Sequence, residues 1–217
     1  MTDITQDDPH AGQDVLRYGP PVARARIALI LLHGRGASAE DILGLARELQ
    51  WEDVAYLAPQ AAGRTWYPYS FLAPIPQNEP NLSSALGVVG RLVAELQGQG
   101  LTTDRIALLG FSQGACLALE FAARHAAMYA AVVGLSGGLI GPPDTPRNYP
   151  GSLGGTPVFL GCSDIDAHIP VERVRESADV FRRMSGTVDE RIYPRMGHTI
   201  NQDELDAVDA LLGPRRR

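Results

Sequence analysis

Apolar residues gather into short runs along the chain: Ile27 to Leu32, Val54 to Ala58, Arg105 to Phe111, Tyr129 to Leu135 and Pro157 to Gly161. Runs this short and this apolar, bounded by turn-forming residues, predict buried strands. Glu190 to Tyr193 alternates polar with apolar positions and predicts an edge strand, and Asp14 to Tyr18 an antiparallel strand near the start. Between them, apolar residues recur at helical spacing in Ala39 to Gln50, Leu82 to Gln97, Gln113 to His125, Val171 to Met184 and Gln202 to Leu212. Ser38 followed by Asp41 predicts a cap on the first helix, and Pro170 suits the first turn of the fourth. Strand and helix therefore alternate, which predicts an α/β protein with a mostly parallel central sheet flanked by helices on both faces.

Two stretches fit neither period, Ala61 to Asn81 and Gly137 to Thr156, both rich in Pro and Gly and longer than ordinary connections. The first carries Trp66, Tyr67, Tyr69 and Phe71, which either line a substrate pocket or tack the loop down by local packing. There is no internal repeat.

With 217 residues the chain suits one domain. The expected organisation is a single domain over 1–217, with about 1–13 poorly ordered. A net charge of −6 repels nucleic acid and anionic membranes, so no nucleic-acid partner is expected. The basic run Arg215 to Arg217 and the acids Asp3, Asp7 and Asp8 read as solvated termini. No apolar run approaches the roughly 20 residues that span a bilayer, so no stable membrane insertion is expected. The start has neither the basic nor the apolar region of a leader, which makes a cytoplasmic location the default expectation. Cys116 and Cys162 sit in apolar segments and read as packing thiols rather than a disulfide. The oligomeric state stays open, a homodimer included.

Gly110-Phe111-Ser112-Gln113-Gly114 follows a predicted strand and opens a predicted helix. A nucleophile elbow has this context: the turn lifts the serine hydroxyl off the sheet, flanking glycines admit close backbone, and the helix N-terminus favours developing negative charge. A serine needs a base within hydrogen-bond reach, and histidine has the suitable pKa. Of His10, His33, His125, His168 and His198, only His198 stands in a loop after the last strand, last in the order Ser, Asp, His. Asp164 and Asp166, after the strand Pro157 to Gly161, are both candidates for the carboxylate that orients the histidine, and position alone favours neither. A metal site built from Asp164, Asp166 and His168 is outweighed by that simpler role. Leu32-His33-Gly34-Arg35-Gly36 follows the first central strand, where backbone N–H groups would form an oxyanion hole with that of Gln113.

Together, His33-Gly34-Arg35-Gly36, Gly110-Phe111-Ser112-Gln113-Gly114, Asp166 with Ile169-Pro170, and Gly197-His198 resemble the phospholipase/carboxylesterase family of α/β-hydrolases, which includes the acyl-protein thioesterases. The resemblance runs from about Ala28 to the last helix and implies the α/β-hydrolase fold without a large lid domain. In that family the catalytic aspartate stands four residues before a proline, and this interval selects Asp166. The resemblance further implies Ser112 as nucleophile, His198 as base, oxyanion donation from the Arg35 and Gln113 amides, small-molecule acyl ester or thioester substrates, and no metal or cofactor. Arg35 stands where the thioesterases carry an apolar residue, and Thr65-Trp66-Tyr67-Pro68 replaces their Ser-Trp-Phe-Asp; small to medium acyl esters are therefore the expected substrates. Two alternatives differ in kind: a dienelactone-hydrolase-like activity, whose family places a cysteine where this chain has Ser112, and a ligand-binding protein that keeps the fold without catalysis.

Overall fold

A computed structural model describes residues 8–49 and 51–213. Asp3, Asp7, Gln50 and the run Arg215 to Arg217 lie outside the described residues. Seven strands form one sheet: β1 (Val15–Tyr18), β2 (Ile27–Leu32), β3 (Val54–Pro59), β4 (Ile106–Phe111), β5 (Ala131–Leu135), β6 (Pro157–Ser163) and β7 (Thr187–Tyr193). The helices are α1 (Ala39–Leu49), α2 (Asn81–Gly98), α3 (Gln113–Arg124), α4 (Val171–Arg183) and α5 (Gln202–Leu212). Across the sheet the order is β1-β3-β2-β4-β5-β6-β7, with β1 antiparallel to β3 and every other pair parallel. This is the α/β-hydrolase fold.

Strand periodicity divides the core. Ala28, Ile30 and Leu32 of β2, with Ile106 and Leu108 of β4, pack toward α2, α3 and α4. Their alternating neighbours Ile27, Leu29, Leu31, Ala107 and Leu109 pack toward α1 and α5. Both faces are covered, which is why these strands carry no polar alternation. From Gln113 to Ala123 every residue of α3 is buried, because the helix crosses the middle strands of the sheet. By contrast, α4 is two-faced: Val174, Ala178 and Phe181 are buried while Arg175, Asp179 and Arg182 are exposed.

The differences from the sequence reading lie at element ends and at the start. β6 runs on to Ser163, and β7 begins at Thr187, pairing with β6 from Thr187↔Pro157 to Tyr193↔Ser163. The charged stretch Asp189-Glu190-Arg191 hides this strand from a hydrophobic pattern; at the sheet edge those charges pair with each other and with Arg182. Arg105 precedes β4 in a short 3₁₀ turn, donating to the carbonyls of Ala25 and Arg26. Within the segment expected to be poorly ordered, residues 8–13 are described, and His10 is buried there. Its backbone N–H donates to Ser84 Oγ, while its ring bonds the Trp66 carbonyl at 2.8 Å and accepts from the Ala62 N–H at 3.0 Å. Three polar partners hold a segment that has little apolar surface to bury.

The two long stretches have little regular structure but are tied. Gly141 N–H donates to the Phe71 carbonyl at 2.7 Å, joining them. Asn78 bridges Tyr69 N–H and the Ser70 carbonyl within the first. Glu120, Arg147 and Arg173 hold Leu139, Ile140 and Gly141 in the second.

β2 and α3 approach so closely that an added Cβ at Gly114 would overlap the carbonyls of Leu32 and His33. Gly114→Ala is therefore expected to destabilise the protein by about 1–3 kcal/mol or more, whereas Gly44→Ala, whose Cβ would meet open space inside α1, should stabilise it by about 0.5–1 kcal/mol. Urea unfolding midpoints of the two variants check both signs.

Candidate active site

The carboxyl ends of β2, β4, β6 and β7 lie along one edge of the sheet, and the loops leaving them carry the residues singled out above. Ser112 is the single residue between β4 and α3, with φ 55° and ψ −119°. L side chains rarely adopt that conformation, so its surroundings must impose it. Its N–H donates to the Leu135 carbonyl at 2.9 Å and its own carbonyl accepts from Cys116 N–H at 3.0 Å. The turn needs glycine on both sides: a Cβ at Gly110 would overlap the Gly114 carbonyl, and one at Gly114 that of Leu32.

His198 Nε2 lies 2.8 Å from Ser112 Oγ, and its Nδ1 lies 2.7 Å from Asp166 Oδ2. An ionised carboxylate only accepts, so the ring proton belongs on Nδ1 and Nε2 is left to accept from the serine hydroxyl. The Asp166 side chain is fully buried. Burial pushes its carboxyl up, but the hydrogen bond from His198 and the N–H groups of His168 and Ile169 outweigh burial and hold it below its ordinary value. Asp164, the other candidate, turns away and accepts from the Arg195 N–H at 2.7 Å, fixing the loop that leads to His198. Ser163 Oγ donates to the Met196 carbonyl in the same loop, and the Phe111 and His198 rings lie 5.0 Å apart.

The Gly34–Gly36 turn lies against the elbow: a Cβ on Gly34 would sit 3.4 Å from Ser112 Cβ. His33 is fully buried beneath it, accepting at Nε2 from Ala61 N–H and donating from Nδ1 to the Gly34 carbonyl. Burial lowers its pKa, in keeping with a neutral ring in that double role. Among the described residues no protein acceptor takes a hydrogen bond from the Arg35 or Gln113 N–H. The two side chains hold the neighbouring loop by its backbone. Gln113 accepts from Trp66 N–H and donates to the Tyr67 carbonyl, while Arg35 donates to the carbonyls of Pro68 and Tyr69 at 2.8 and 2.6 Å.

A cavity of about 370 Å³ opens on Ser112 and His198. Tyr67, Tyr69 and Phe71 line it, as the sequence reading allowed, but Trp66 does not. Fully buried, Trp66 donates from its indole N–H to the His33 carbonyl and stacks obliquely on the His33 and His10 rings. An indole with one polar atom packs best where that atom finds a carbonyl, and here this lies beneath the loop. Cys116, His168 and Ile169 also line the cavity. Sequence reasoning read Cys116 as a packing thiol, weighed His168 only among the candidate bases and for a metal site, and used Ile169 only in the family interval, since a thiol on a buried helix and residues before a proline carry no signal of what they face.

The fold and this site define an α/β-hydrolase with a serine, a histidine and a carboxylate in one hydrogen-bonded line. The sequence profile of the phospholipase/carboxylesterase family matches residues 19–213, and the chain belongs to that family. It is 30% identical to acyl-protein thioesterase 1 of Gibberella zeae over 130 residues, 56% of this chain and 52% of that protein. With acyl-protein thioesterase 1 of Saccharomyces cerevisiae the identity is 27%, over 88% of this chain and 93% of that one. Among solved structures, a phospholipase/carboxylesterase from Dyadobacter fermentans is 44% identical with a TM-score of 0.89, covering 92% of this chain and 95% of its own.

Glu204 escaped the sequence reading. It completes a capping box at the start of α5, accepting from the Asn201 N–H just beyond the His198 loop, while its other oxygen is buried without a partner. Burial pushes this carboxyl from an ordinary 4.5 up to about 7. The folded protein therefore holds the proton more tightly than the unfolded chain, and stability from this group, full below pH 4.5, declines as pH rises through about 7. Glu204→Gln keeps the acceptor for Asn201, so its unfolding midpoint should lack that share of the decline when both proteins are melted across this window.

Proposed function

We propose that the protein is a serine carboxylesterase acting on small to medium acyl esters, with thioesters and lysophospholipids as the wider class the family embraces. The observation that carries this reading is the unbroken chain Asp166–His198–Ser112, with both contacts at hydrogen-bond distance. Ser112 Oγ attacks the acyl carbonyl as its proton passes to His198 Nε2, and the oxyanion is held by the Arg35 and Gln113 N–H groups. Collapse breaks the bond to the alcohol or thiol, which leaves with the proton from His198. Water then gives a proton to the same nitrogen and attacks the acyl-serine, and the acid departs as Ser112 recovers its hydrogen. Asp166 fixes the tautomer and stabilises the imidazolium formed in each half.

A cavity of about 370 Å³ suits a compact acyl or alkoxy group. Its inner wall, with buried Tyr67, Phe71, Cys116 and Ile169, supports short and medium chains over long ones. Cys116 has its thiol pushed up to about 12 by burial, which argues against it as a rival nucleophile. A cytoplasmic setting belongs to the same reading, supported by two buried cysteines that are not joined. Among the described residues no helix is long and apolar enough to cross a membrane.

A fluorophosphonate should label Ser112, located by mass spectrometry, and p-nitrophenyl ester turnover should peak at short or medium chains. Ser112→Ala should abolish both in a folded protein, and Asp166→Asn should cut kcat by about 10³–10⁴-fold. An unlabelled, inactive wild type would instead favour a ligand-binding protein on this fold.

A further inference from the structure

The molecule carries a net charge of −6, yet among the described residues no carboxylate lines the cavity beside Ser112. The charged and titratable side chains there are Arg35, His168 and His198, with the Tyr67 and Tyr69 phenols and the Cys116 thiol. Arg26, Arg173 and Arg191 each hold a carboxylate, but among the described residues none pairs with Arg35. Its guanidinium is pinned by two neutral partners, the Pro68 and Tyr69 carbonyls. Of the five N–H donors on a guanidinium, two are engaged this way, leaving Nε and one hydrogen on each terminal nitrogen for a ligand. The pinning also fixes the fork before any ligand arrives, so little side-chain freedom is lost on binding.

The Tyr67 phenol lies in the wall of the same cavity. The Tyr67 hydroxyl is buried with no hydrogen-bond partner, although it lies beside the Cys116 thiol. Arg35 is near enough for its charge to favour the ionised phenol, working against the effect of burial.

We propose that Arg35 makes this cavity selective for esters that carry a carboxylate a few bonds from the reacting carbonyl, the anion being held by the pinned guanidinium. The inference rests on the esterase reading and names its substrate class. The carboxylate can belong to the acyl half or to the alcohol half of the ester.

Two isosteric pairs separate these cases in a pH-stat assay: monomethyl glutarate against methyl 5-methylhexanoate, and 3-acetoxypropanoate against 3-methylbutyl acetate. The anionic member of at least one pair should have a kcat/KM about tenfold or more above its neutral isostere, as a charge-assisted fork contact warrants. In Arg35→Gln that ratio should fall to about one, and Arg35→Lys, which keeps the charge without the fork, should lie between. Preference for the neutral member in both pairs overturns the proposal. So does an Arg35→Gln variant that slows both members of a pair by the same factor, because Arg35 then only holds the loop. Failure of the esterase reading shows separately, as no turnover of any ester and no fluorophosphonate label on Ser112. Calorimetry with glutarate then decides: binding that Arg35→Gln weakens about tenfold supports the anion site, and no binding to the wild type refutes it.

Discussion

Everything at the carboxyl edge of the sheet depends on how closely α3 lies against β2 and β4. The approach leaves no room for a side chain at Gly110 or Gly114, and it forces Ser112 into a conformation that L residues avoid. Strain of about 1–3 kcal/mol at such a residue persists only when its surroundings over-determine it. Here the surroundings are the parallel ladder β2–β4–β5, buried on both faces, and the Leu135 and Cys116 hydrogen bonds that clamp the turn on either side. The hydroxyl is thereby presented from rigid backbone rather than from a mobile loop.

The other members of the site are held less directly, each by polar contacts from its neighbours. Asp166 is fixed by two backbone N–H groups, and the His198 loop is fixed from below by Ser163 and Asp164. The Gly34–Arg35 turn rests on His33, whose two ring nitrogens are both engaged. Such contacts set distances more sharply than apolar packing does, since a hydrogen bond weakens steeply away from its preferred geometry.

Much of this was legible in the sequence, and the reasons differ by element. β2, β4 and β6 could be read because strands buried on both faces are nearly all apolar, and Ser112 because its glycines mark a backbone that tolerates nothing larger. β7 was cut short because an edge strand carries charges, as Asp189, Glu190 and Arg191 do. Asp164 and Asp166 could not be separated by position, because the difference between them is which way each side chain turns; the family interval, not the local pattern, chose between them. Trp66 was grouped with its pocket-lining neighbours because adjacent aromatic residues look alike in sequence although they point into different layers. His10 gave no signal, since its partners lie far along the chain, whereas Asn201 followed three residues later by Glu204 is the spacing of a capping box and could have been read.

The loop over the cavity is gripped by its main chain. Gln113 and Arg35 bond the backbone of residues 66–69, and Asn78 that of Tyr69 and Ser70. None of these bonds consults the side chains of Tyr67, Tyr69 or Ser70, which face the cavity. Anchorage and lining are thus written in separate atoms of one segment, so the exposed positions 69 and 70 can drift to suit a new substrate while the loop stays where it is, an adaptability that a loop pinned by its own side chains would lack.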